Sequence, residues 1–302
     1  MRIVLHGQQA FGQSVLQRLL DQGESVVAVC TAPDKEGRPL DPVKELALEK
    51  GLPVHQPASW KTEEAAELMR SFDADVCMMA YVLLFVPSTV LDIPKHGSFQ
   101  YHPSLLPMHR GPSSINWPIA MGATKTGLTI FWPDDGLDEG PVLMQKTCEI
   151  GPDETLGDVY FKKLFPMGVD AMMESLELVK QGSAPRIEQN LDDGSYESWF
   201  GKDQSKLDWS KPADEVYNII RAANPQPGAW TTLGELTVKI FNSRKVSGTG
   251  TPGEVIAIGD SSFTVAAGDG AIEISRVRAD AGKVEASEFI STSGIEVGTK
   301  FG

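Results

Sequence analysis

The first hundred residues alternate between short apolar runs and amphipathic segments. Residues 2–6 form an apolar run, and the valine and leucines of residues 13–22 recur at helical spacing. Further apolar runs lie at residues 25–31, 52–55, 75–80 and 97–102, and further helical patterns at residues 43–50 and 63–71. Strands that alternate with helices in this way predict a parallel, doubly wound α/β sheet of the Rossmann-like type.

The pattern changes after residue 125. Two strand-like runs, residues 126–132 and 142–150, bracket an acidic glycine loop and predict closely paired strands. A long helical pattern follows over residues 154–180. Pro166 and Gly168 are expected to bend or break that helix, because proline cannot donate a backbone hydrogen bond.

The last third of the chain predicts a second domain. Residues 182–205 are polar and irregular, residues 205–222 predict one helix with a proline near its start, and everything after Gly228 predicts short strands separated by turns. Such strands are typical of a small β-barrel. We therefore expect an N-terminal domain over residues 1–203 and a C-terminal, mostly β domain over residues 204–302, as the length of 302 residues also suggests.

Charge and cysteine content narrow the classes of partner. The 27 Lys and Arg residues against 41 Asp and Glu give a net charge of −14, which repels nucleic acids. Cys30, Cys77 and Cys148 are scattered in apolar runs, which favours buried free thiols and a reducing cytoplasm. The N-terminus lacks a signal-peptide core and no apolar run approaches ~20 residues, so we expect a soluble cytoplasmic protein with no membrane contact. The sequence does not indicate an oligomeric state.

Gly7 and Gly12 flank the first predicted strand–helix turn. Their spacing lacks the middle glycine of a dinucleotide-binding loop and the Lys-Ser/Thr of a P-loop. A packing role that permits a tight turn is therefore favoured over phosphate binding. A nicotinamide-dependent dehydrogenase is a weak alternative.

The segment FQYHPSLLPMHRGPSSINWP, residues 99–118, is the strongest candidate for chemistry. It begins at a predicted strand end, where open α/β sheets place their ligands. Gln100 and His102 are two residues apart on one strand and should point into one space. A core role is the alternative for His102, and loop bracing is at least as plausible for His109 and Arg110.

The acidic loop at residues 134–140 (DDGLDEG) has three interpretations. It could be a solvated turn or a metal site, but its glycines do not fit an EF-hand loop and no paired Cys/His set exists for zinc. No metal is therefore expected. A single aspartate that meets His102 fits the chemistry best.

Several motifs together resemble the 10-formyltetrahydrofolate-dependent formyltransferase superfamily. They are YHPSLLP with HRG and INW, then GLDEG, with lesser matches in LHGQQAFG, PDKEGR, DPVKELALEKGLPV, LDWSKPADEVYNIIRA and NPQPGAW. The chain is most similar to the hydrolase domain of 10-formyltetrahydrofolate dehydrogenase and is also similar to methionyl-tRNA formyltransferase. The similarity extends to about Val246.

The resemblance implies a Rossmann-like domain, an OB-like C-terminal barrel and a catalytic trio. The family's Asn-x-His plus Asp falls here on Gln100, His102 and Asp138, with glutamine in place of asparagine. The donor would be 10-formyltetrahydrofolate, with tetrahydrofolate as product. The residues expected to line the folate site are Leu84, Phe85, Val86, Ser104, Leu105, Leu106, Pro107 and Asp135.

The formyl acceptor is left open between water, a small amine and transfer RNA. The loop after the second strand, APDKEGRPLDP, is nearly balanced in charge, and with the net charge of −14 this argues against transfer RNA. The replacement of asparagine by Gln100 favours water slightly. A folate-binding module inactivated by Gln100 and by Met108, where relatives often have a basic residue, is the alternative of another class.

Overall fold

The computed structural model describes residues 1–279 and 282–302 of the chain. A seven-stranded sheet forms its largest element. The strands are β1 (Arg2–Gly7), β2 (Ser25–Cys30), β3 (Val54–His55), β4 (Val76–Ala80), β5 (Ser98–His102), β6 (Lys125–Phe131) and β7 (Val142–Glu149). Their spatial order is β3, β2, β1, β4, β5, β6, β7.

The strand directions confirm the predicted parallel sheet over its first five strands. β1 to β5 pair in parallel, with β1 between β2 and β4. β6 then runs antiparallel to β5. The carboxyl ends of β1, β4 and β5 therefore meet at one edge, next to the strand-order reversal at which such sheets bind ligands.

The helices largely follow the predicted pattern. They are α1 (Gln9–Asp21), α2 (Pro42–Glu49), α3 (Glu63–Ser71), α4 (Ser88–Leu91), α5 (Asn116–Ala120), α6 (Leu156–Val159), α7 (Phe165–Lys180), α8 (Ala213–Ala222) and α9 (Ala286–Ser293). Capping explains why α3 begins where predicted, since the Thr62 hydroxyl accepts from the Ala65 N–H and Glu63 and Glu64 complement the helix dipole. Among the described residues, no helix is long and apolar enough to cross a membrane.

The helical stretch predicted over residues 154–180 contains a π-helical turn rather than a break, and this turn precedes Pro166 and Gly168. A π-helical turn, Tyr160–Leu164, separates α6 from α7, and Pro166 occupies the first turn of α7, where no backbone donor is required. The glycine at position 168 is explained by packing. A Cβ there would lie 2.6 Å from the Tyr101 ring, so glycine lets α7 approach β5 closely.

Two helix predictions in the last third were wrong. The helix predicted over residues 205–222 begins only at Ala213, because Pro212 is extended (φ −51°, ψ 145°) and disfavours helical geometry in the residue before it. The second error is α9, which lies in a region predicted to contain only strands. Its Ser and Thr residues have low helix propensity, but buried Ala286 and Phe289 stabilise it by packing, and the left-handed Gly294 ends it.

The remaining strands form two antiparallel sheets, which confirms the predicted β character of the C-terminal part. They are β8 (Ala229–Leu233), β9 (Leu236–Ile240), β10 (Ser243–Val246), β11 (Val255–Ile258), β12 (Phe263–Ala266), β13 (Ala271–Ile274), β14 (Arg276–Ala279) and β15 (Gly282–Glu285). One sheet has the order β10, β13, β12, β11 and the other β15, β14, β9, β8.

The chain divides into two compact units. The first consists of Met1–Gly111, Gly127–Cys148 and Lys163–Tyr196, and the second of Pro112–Thr126, Glu149–Lys162 and Glu197–Gly302. A single boundary at residue 203 stays a prediction.

Gly7 and Gly12 have the packing role that their spacing favoured. A Cβ on Gly7 would lie 2.5 Å from the Ala80 carbonyl oxygen, and one on Gly12 would lie 2.8 Å from the Val43 side chain. The N-terminus of α1 also has an internal anion, because the Asp41 carboxylate accepts from the Gln9 N–H at 2.9 Å and from the Val43 N–H at 2.9 Å. A carboxylate of the chain itself thus lies where dinucleotide-binding proteins hold a phosphate.

His6 is a buried titratable group in the first unit. It is 4% exposed at the end of β1, and its ring lies 4.9 Å from the Trp60 ring, centroid to centroid. Burial lowers the pKa of its imidazole from 6.5 to about 3. The folded protein therefore holds this histidine neutral at pH values where an unfolded chain would protonate it.

We predict that His6 makes the fold sensitive to mild acid. Between its unfolded pKa of 6.5 and its folded pKa of about 3, the unfolded state binds one proton more, so stability falls as pH decreases. The stability difference between wild type and His6→Leu should change by up to ~1.4 kcal/mol per pH unit below 6.5 and be constant above it. Urea unfolding at several pH values measures this difference. A pH-independent difference would contradict the prediction.

Candidate functional site

Gln100 and His102 lie on one face at the carboxyl end of β5. Gln100 is aligned with Met79 of β4 and Phe131 of β6, and His102 with Thr129 of β6. His102 is only 6% exposed, whereas Gln100 is half-buried. Within residues 1–279 and 282–302, no protein group hydrogen-bonds the Gln100 carboxamide. Its donors and its acceptor are therefore free for a ligand beside a buried imidazole.

The His102 ring lies between two oxygen acceptors. Its Nε2 is 3.0 Å from the His109 carbonyl oxygen, and its Nδ1 is 3.6 Å from Oδ2 of Asp138. A carbonyl oxygen only accepts, so Nε2 carries a hydrogen and Nδ1 faces the carboxylate. A proton added to Nδ1 would therefore meet a negative charge. At 3.6 Å the pair is looser than a hydrogen bond, as is common before substrate binds.

Asp138 is held in a strained backbone conformation. Its φ of 57° is in the left-handed region, which costs a non-glycine residue roughly 1 kcal/mol. The Gly111 N–H donates to its Oδ2 at 2.9 Å, and its side chain is only 11% exposed. Such strain persists only where neighbouring contacts impose it. The structure therefore places an aspartate of the acidic loop next to the His102 ring, where the sequence predicted one.

Contacts that the sequence did not indicate hold the acidic loop in place. Gln189 donates from Nε2 to the Asp138 carbonyl oxygen at 3.0 Å and to the Gly140 carbonyl oxygen at 2.7 Å. Arg110 forms an ion pair with Glu139, which agrees with the bracing role considered for it. Gln189 lies in the polar, irregular stretch of residues 182–205, where no periodicity indicated a contact.

Thr129 organises the turn that follows His102. Its hydroxyl donates to the Ser104 carbonyl oxygen at 2.7 Å and accepts from the Leu106 N–H at 3.0 Å. Gln145 Nε2 donates to the Leu106 carbonyl oxygen at 2.7 Å and to the Thr129 hydroxyl at 3.0 Å. Side chains of the adjacent strands β6 and β7 thus supply the hydrogen bonds that the turn would otherwise lack.

Ser195 fixes the next part of the same loop. Its N–H donates to the Pro107 carbonyl oxygen at 3.1 Å, and its carbonyl oxygen accepts from the Arg110 N–H at 3.0 Å. Its hydroxyl accepts from the His109 N–H at 2.9 Å. These bonds keep His109 at a positive φ of 56°, with its carbonyl oxygen against His102.

The apolar residues predicted to line a folate site differ in exposure. Val86 is buried in a core cluster with Met79 and Leu91, and Leu84 packs partly against that cluster. Phe85 is 47% exposed, and the Lys61 ammonium lies 4.9 Å from its ring centroid. Of these three residues, only Phe85 has a largely exposed apolar side chain. The folate contacts of Leu84, Phe85 and Val86 stay a prediction.

The polar and backbone groups predicted for the folate site already have partners in the chain. Both Asp135 carboxylate oxygens accept from Ser88, at 2.9 Å from its N–H and 2.8 Å from its hydroxyl, and these bonds lower the pKa of the carboxyl group. The Ser104 hydroxyl donates to the Met108 carbonyl oxygen at 2.7 Å. Leu106 is buried and Leu105 and Pro107 are half-buried. A folate contact of these residues stays a prediction.

Comparison with family models covers most of the chain. A model described as formyl transferase matches residues 1–175, and one described as formyl transferase, C-terminal domain, matches residues 200–294.

Similar proteins include two enzymes and one solved structure. Cytosolic 10-formyltetrahydrofolate dehydrogenase of Xenopus tropicalis is 40% identical over 252 residues, which cover 82% of this chain and 28% of that protein. The chain thus spans little more than a quarter of that relative. Methionyl-tRNA formyltransferase of Trichlorobacter lovleyi is 37% identical over 304 residues, covering 99% of this chain and 96% of that protein. HypX from Aquifex aeolicus, solved with tetrahydrofolic acid, matches with a TM-score of 0.70 at 21% identity, over 98% of this chain and 48% of that one.

We predict that the Thr129 hydroxyl stabilises the turn after His102. Thr129→Val keeps the side-chain shape but leaves buried donors and acceptors without a partner, which should lower the free energy of unfolding by ~1–3 kcal/mol. Thr129→Ser keeps the hydroxyl and should lose less. Urea unfolding of the two variants and wild type measures both effects. An equal loss in both variants would show that the methyl group matters rather than the hydrogen bonds.

Proposed function

This chain belongs to the formyl transferase family, and on that premise we propose that it removes the formyl group of 10-formyltetrahydrofolate and passes it to water or to a small amine. The observation that carries the proposal is the buried His102 ring between an Asp138 carboxylate and a carbonyl oxygen, beside the unpartnered carboxamide of Gln100. The folate donor is supported by the relatives, whose names include 10-formyltetrahydrofolate dehydrogenase, and by the solved HypX complex with tetrahydrofolic acid.

The chemistry requires stabilisation of a tetrahedral oxyanion. A water oxygen adds to the formyl carbon, the carbonyl π electrons move to the formyl oxygen, and the water loses a proton to the Asp138 carboxylate. The carboxamide N–H of Gln100 donates to the developing oxyanion, and the Nε2–H of His102 does so by exchanging the His109 carbonyl oxygen for the substrate oxygen. Collapse of the intermediate breaks the carbon–nitrogen bond, and the folate nitrogen takes a proton from His102 or Asp138. The products are formate and tetrahydrofolate.

The two acceptors around His102 suit this role. A carbonyl oxygen on one side of the ring and a carboxylate on the other fix the orientation of the imidazole. A preoriented donor in a buried site stabilises an oxyanion more than one exposed to water does, because the local dielectric constant is low. The ring's low exposure also excludes bulk water from this interaction.

Water or a small amine is the proposed acceptor because the surface charge disfavours a polyanion. The chain carries a net charge of −14. The loop after β2 contains two basic residues, Lys35 and Arg38, against three acidic ones, Asp34, Glu36 and Asp41. A nucleic acid would therefore find no excess of positive charge in this loop.

Formylation of methionyl-tRNA is the second candidate, favoured by one specific observation. The methionyl-tRNA formyltransferase relative matches almost the whole chain, including the C-terminal unit, whereas the dehydrogenase match covers 82% of it. The same donor chemistry would serve this reaction, with the amino group of methionine in place of water.

An acceptor assay separates these functions. The purified chain is supplied with 10-formyltetrahydrofolate alone, with a small primary amine, or with methionyl-tRNA, and tetrahydrofolate, formate and formylated product are measured. We expect tetrahydrofolate to form without transfer RNA, and the rate not to rise when methionyl-tRNA is added. Release that requires methionyl-tRNA would establish the second candidate instead. No release under any condition, with folate binding retained, would identify an inactive folate-binding module.

We predict that His102→Ala and Asp138→Asn each lower kcat by roughly 100- to 1,000-fold. Loss of one oxyanion donor typically costs ~2.7–4 kcal/mol of transition-state stabilisation, and Asp138→Asn removes the base while keeping the side-chain shape. Tetrahydrofolate release measures turnover, and thermal unfolding and folate titration check that fold and binding remain. Near wild-type turnover by either folded variant would refute its assigned role.

A further inference from the structure

Gln189 is anchored beside the acidic loop by its own backbone neighbours. Ile187, two residues earlier, pairs with Val142 at the start of β7 through two backbone hydrogen bonds of 2.8 and 2.9 Å. The segment that carries Gln189 therefore has a fixed position relative to the sheet. A side chain that projects from such a segment can hold a neighbouring loop with little loss of entropy.

The Gln189 carboxamide is oriented in one way only. Both of its hydrogen bonds leave from Nε2, to the carbonyl oxygens of Asp138 and Gly140, while its Oε1 is buried with no partner in the described chain. Rotation of the amide by 180° would place Oε1 against two carbonyl oxygens. The orientation that binds this loop thus leaves one buried acceptor of Gln189 without a partner among the described residues.

A second contact holds the same three residues from another element. Glu139, between the two residues that Gln189 binds, forms the ion pair with Arg110, whose Nε is also buried without a partner in the part of the chain described. Two half-buried side chains, each with one buried atom that lacks a hydrogen-bond partner, therefore bind residues 138–140. Unsatisfied buried groups in a native protein call for an explanation, and a functional constraint is one.

The constraint concerns the direction of the Asp138 side chain. Asp138 has a φ of 57°, and the peptide groups on its C-terminal side are those whose carbonyl oxygens Gln189 binds. If these bonds were lost, the loop could relax toward negative φ and move the carboxylate away from the Gly111 N–H and from His102. A shift of ~1 Å at a reacting group can lower a rate ~100-fold.

We propose that Gln189 is a positioning residue. By binding the backbone of the acidic loop, it keeps the catalytic Asp138 carboxylate next to the His102 ring. The inference rests on the proposed function, in which Asp138 accepts a proton. Gln189 itself touches neither His102 nor the Asp138 carboxylate. Its effect should appear in kcat rather than in folate affinity.

The first test is a pair of isosteric variants. Gln189→Met keeps the length of the side chain but removes both hydrogen bonds, and Gln181→Met makes the same change at the exposed end of α7. We expect Gln189→Met to lower kcat by ~10- to 100-fold with little change in the KM for 10-formyltetrahydrofolate, and Gln181→Met to match wild type. An unchanged kcat in a folded Gln189→Met protein would overturn the inference while leaving the proposed function intact. An inactive wild type would instead reject the proposed function.

A double-mutant cycle distinguishes positioning from general stability. If Gln189 acts through Asp138, adding Gln189→Met to Asp138→Asn should lower kcat no further. Additive losses would overturn the inference. Gln189→Glu provides a second test, which remains available if the methionine variant does not fold. In this variant only the protonated carboxylic acid can donate a hydrogen bond to a carbonyl oxygen. Its kcat relative to wild type should recover as pH falls, and a ratio independent of pH would count against the proposal.

Discussion

A buried imidazole between two oxygen acceptors is the constraint on which the rest of the site depends. A carbonyl oxygen and a carboxylate can face the same small ring only if both are held firmly, since each would otherwise turn toward solvent. The loop of His109 is therefore bonded to Ser195, and the loop of Asp138 to Gly111 and Gln189. Both loops have positive φ at the residue that meets the ring, which is a conformation that such bonds must maintain.

The antiparallel strand β6 brings these loops together. In a wholly parallel sheet the next carboxyl end would lie beside that of β5, whereas here β6 passes His102 with its middle, at Thr129. The Thr129 side chain thereby reaches the turn after β5, and the chain beyond Phe131 returns toward His102 with the acidic loop. One reversal of strand direction thus supplies both the support of the turn and the carboxylate.

Local patterns predicted those parts of the molecule that local forces determine. The strands β1, β2 and β4 are continuous apolar runs, and α3 has both its cap and its apolar face in adjacent residues, so their bounds could be found from the sequence. The start of α8 was misjudged although Pro212 was visible, and α9 was missed because burial of Phe289 outweighs the poor propensity of its serines. Local backbone sterics at Pro212 determine the start of α8, whereas tertiary packing determines α9, and hydrophobic periodicity reports neither.

The candidate site, like the fold, could be predicted from the sequence only in part. Strand alternation placed Gln100 and His102 on one face, and chemistry favoured an aspartate of the acidic loop as partner, but the choice of Asp138 came from the family resemblance. Gln189 had no signal at all, because a glutamine in a polar stretch has no periodicity. Side chains that act through the backbone of another loop are visible only when the chain is folded.

The Asp41 carboxylate supplies, from within the polypeptide, the negative charge that complements the N-terminus of α1. In dinucleotide-binding proteins of similar architecture, the positive end of the first helix binds a phosphate group of the ligand. Here the counter-ion is part of the polypeptide and arrives with the N-terminal cap of α2. The N-terminus of α1 therefore has a covalently attached counter-ion, which no ligand has to supply.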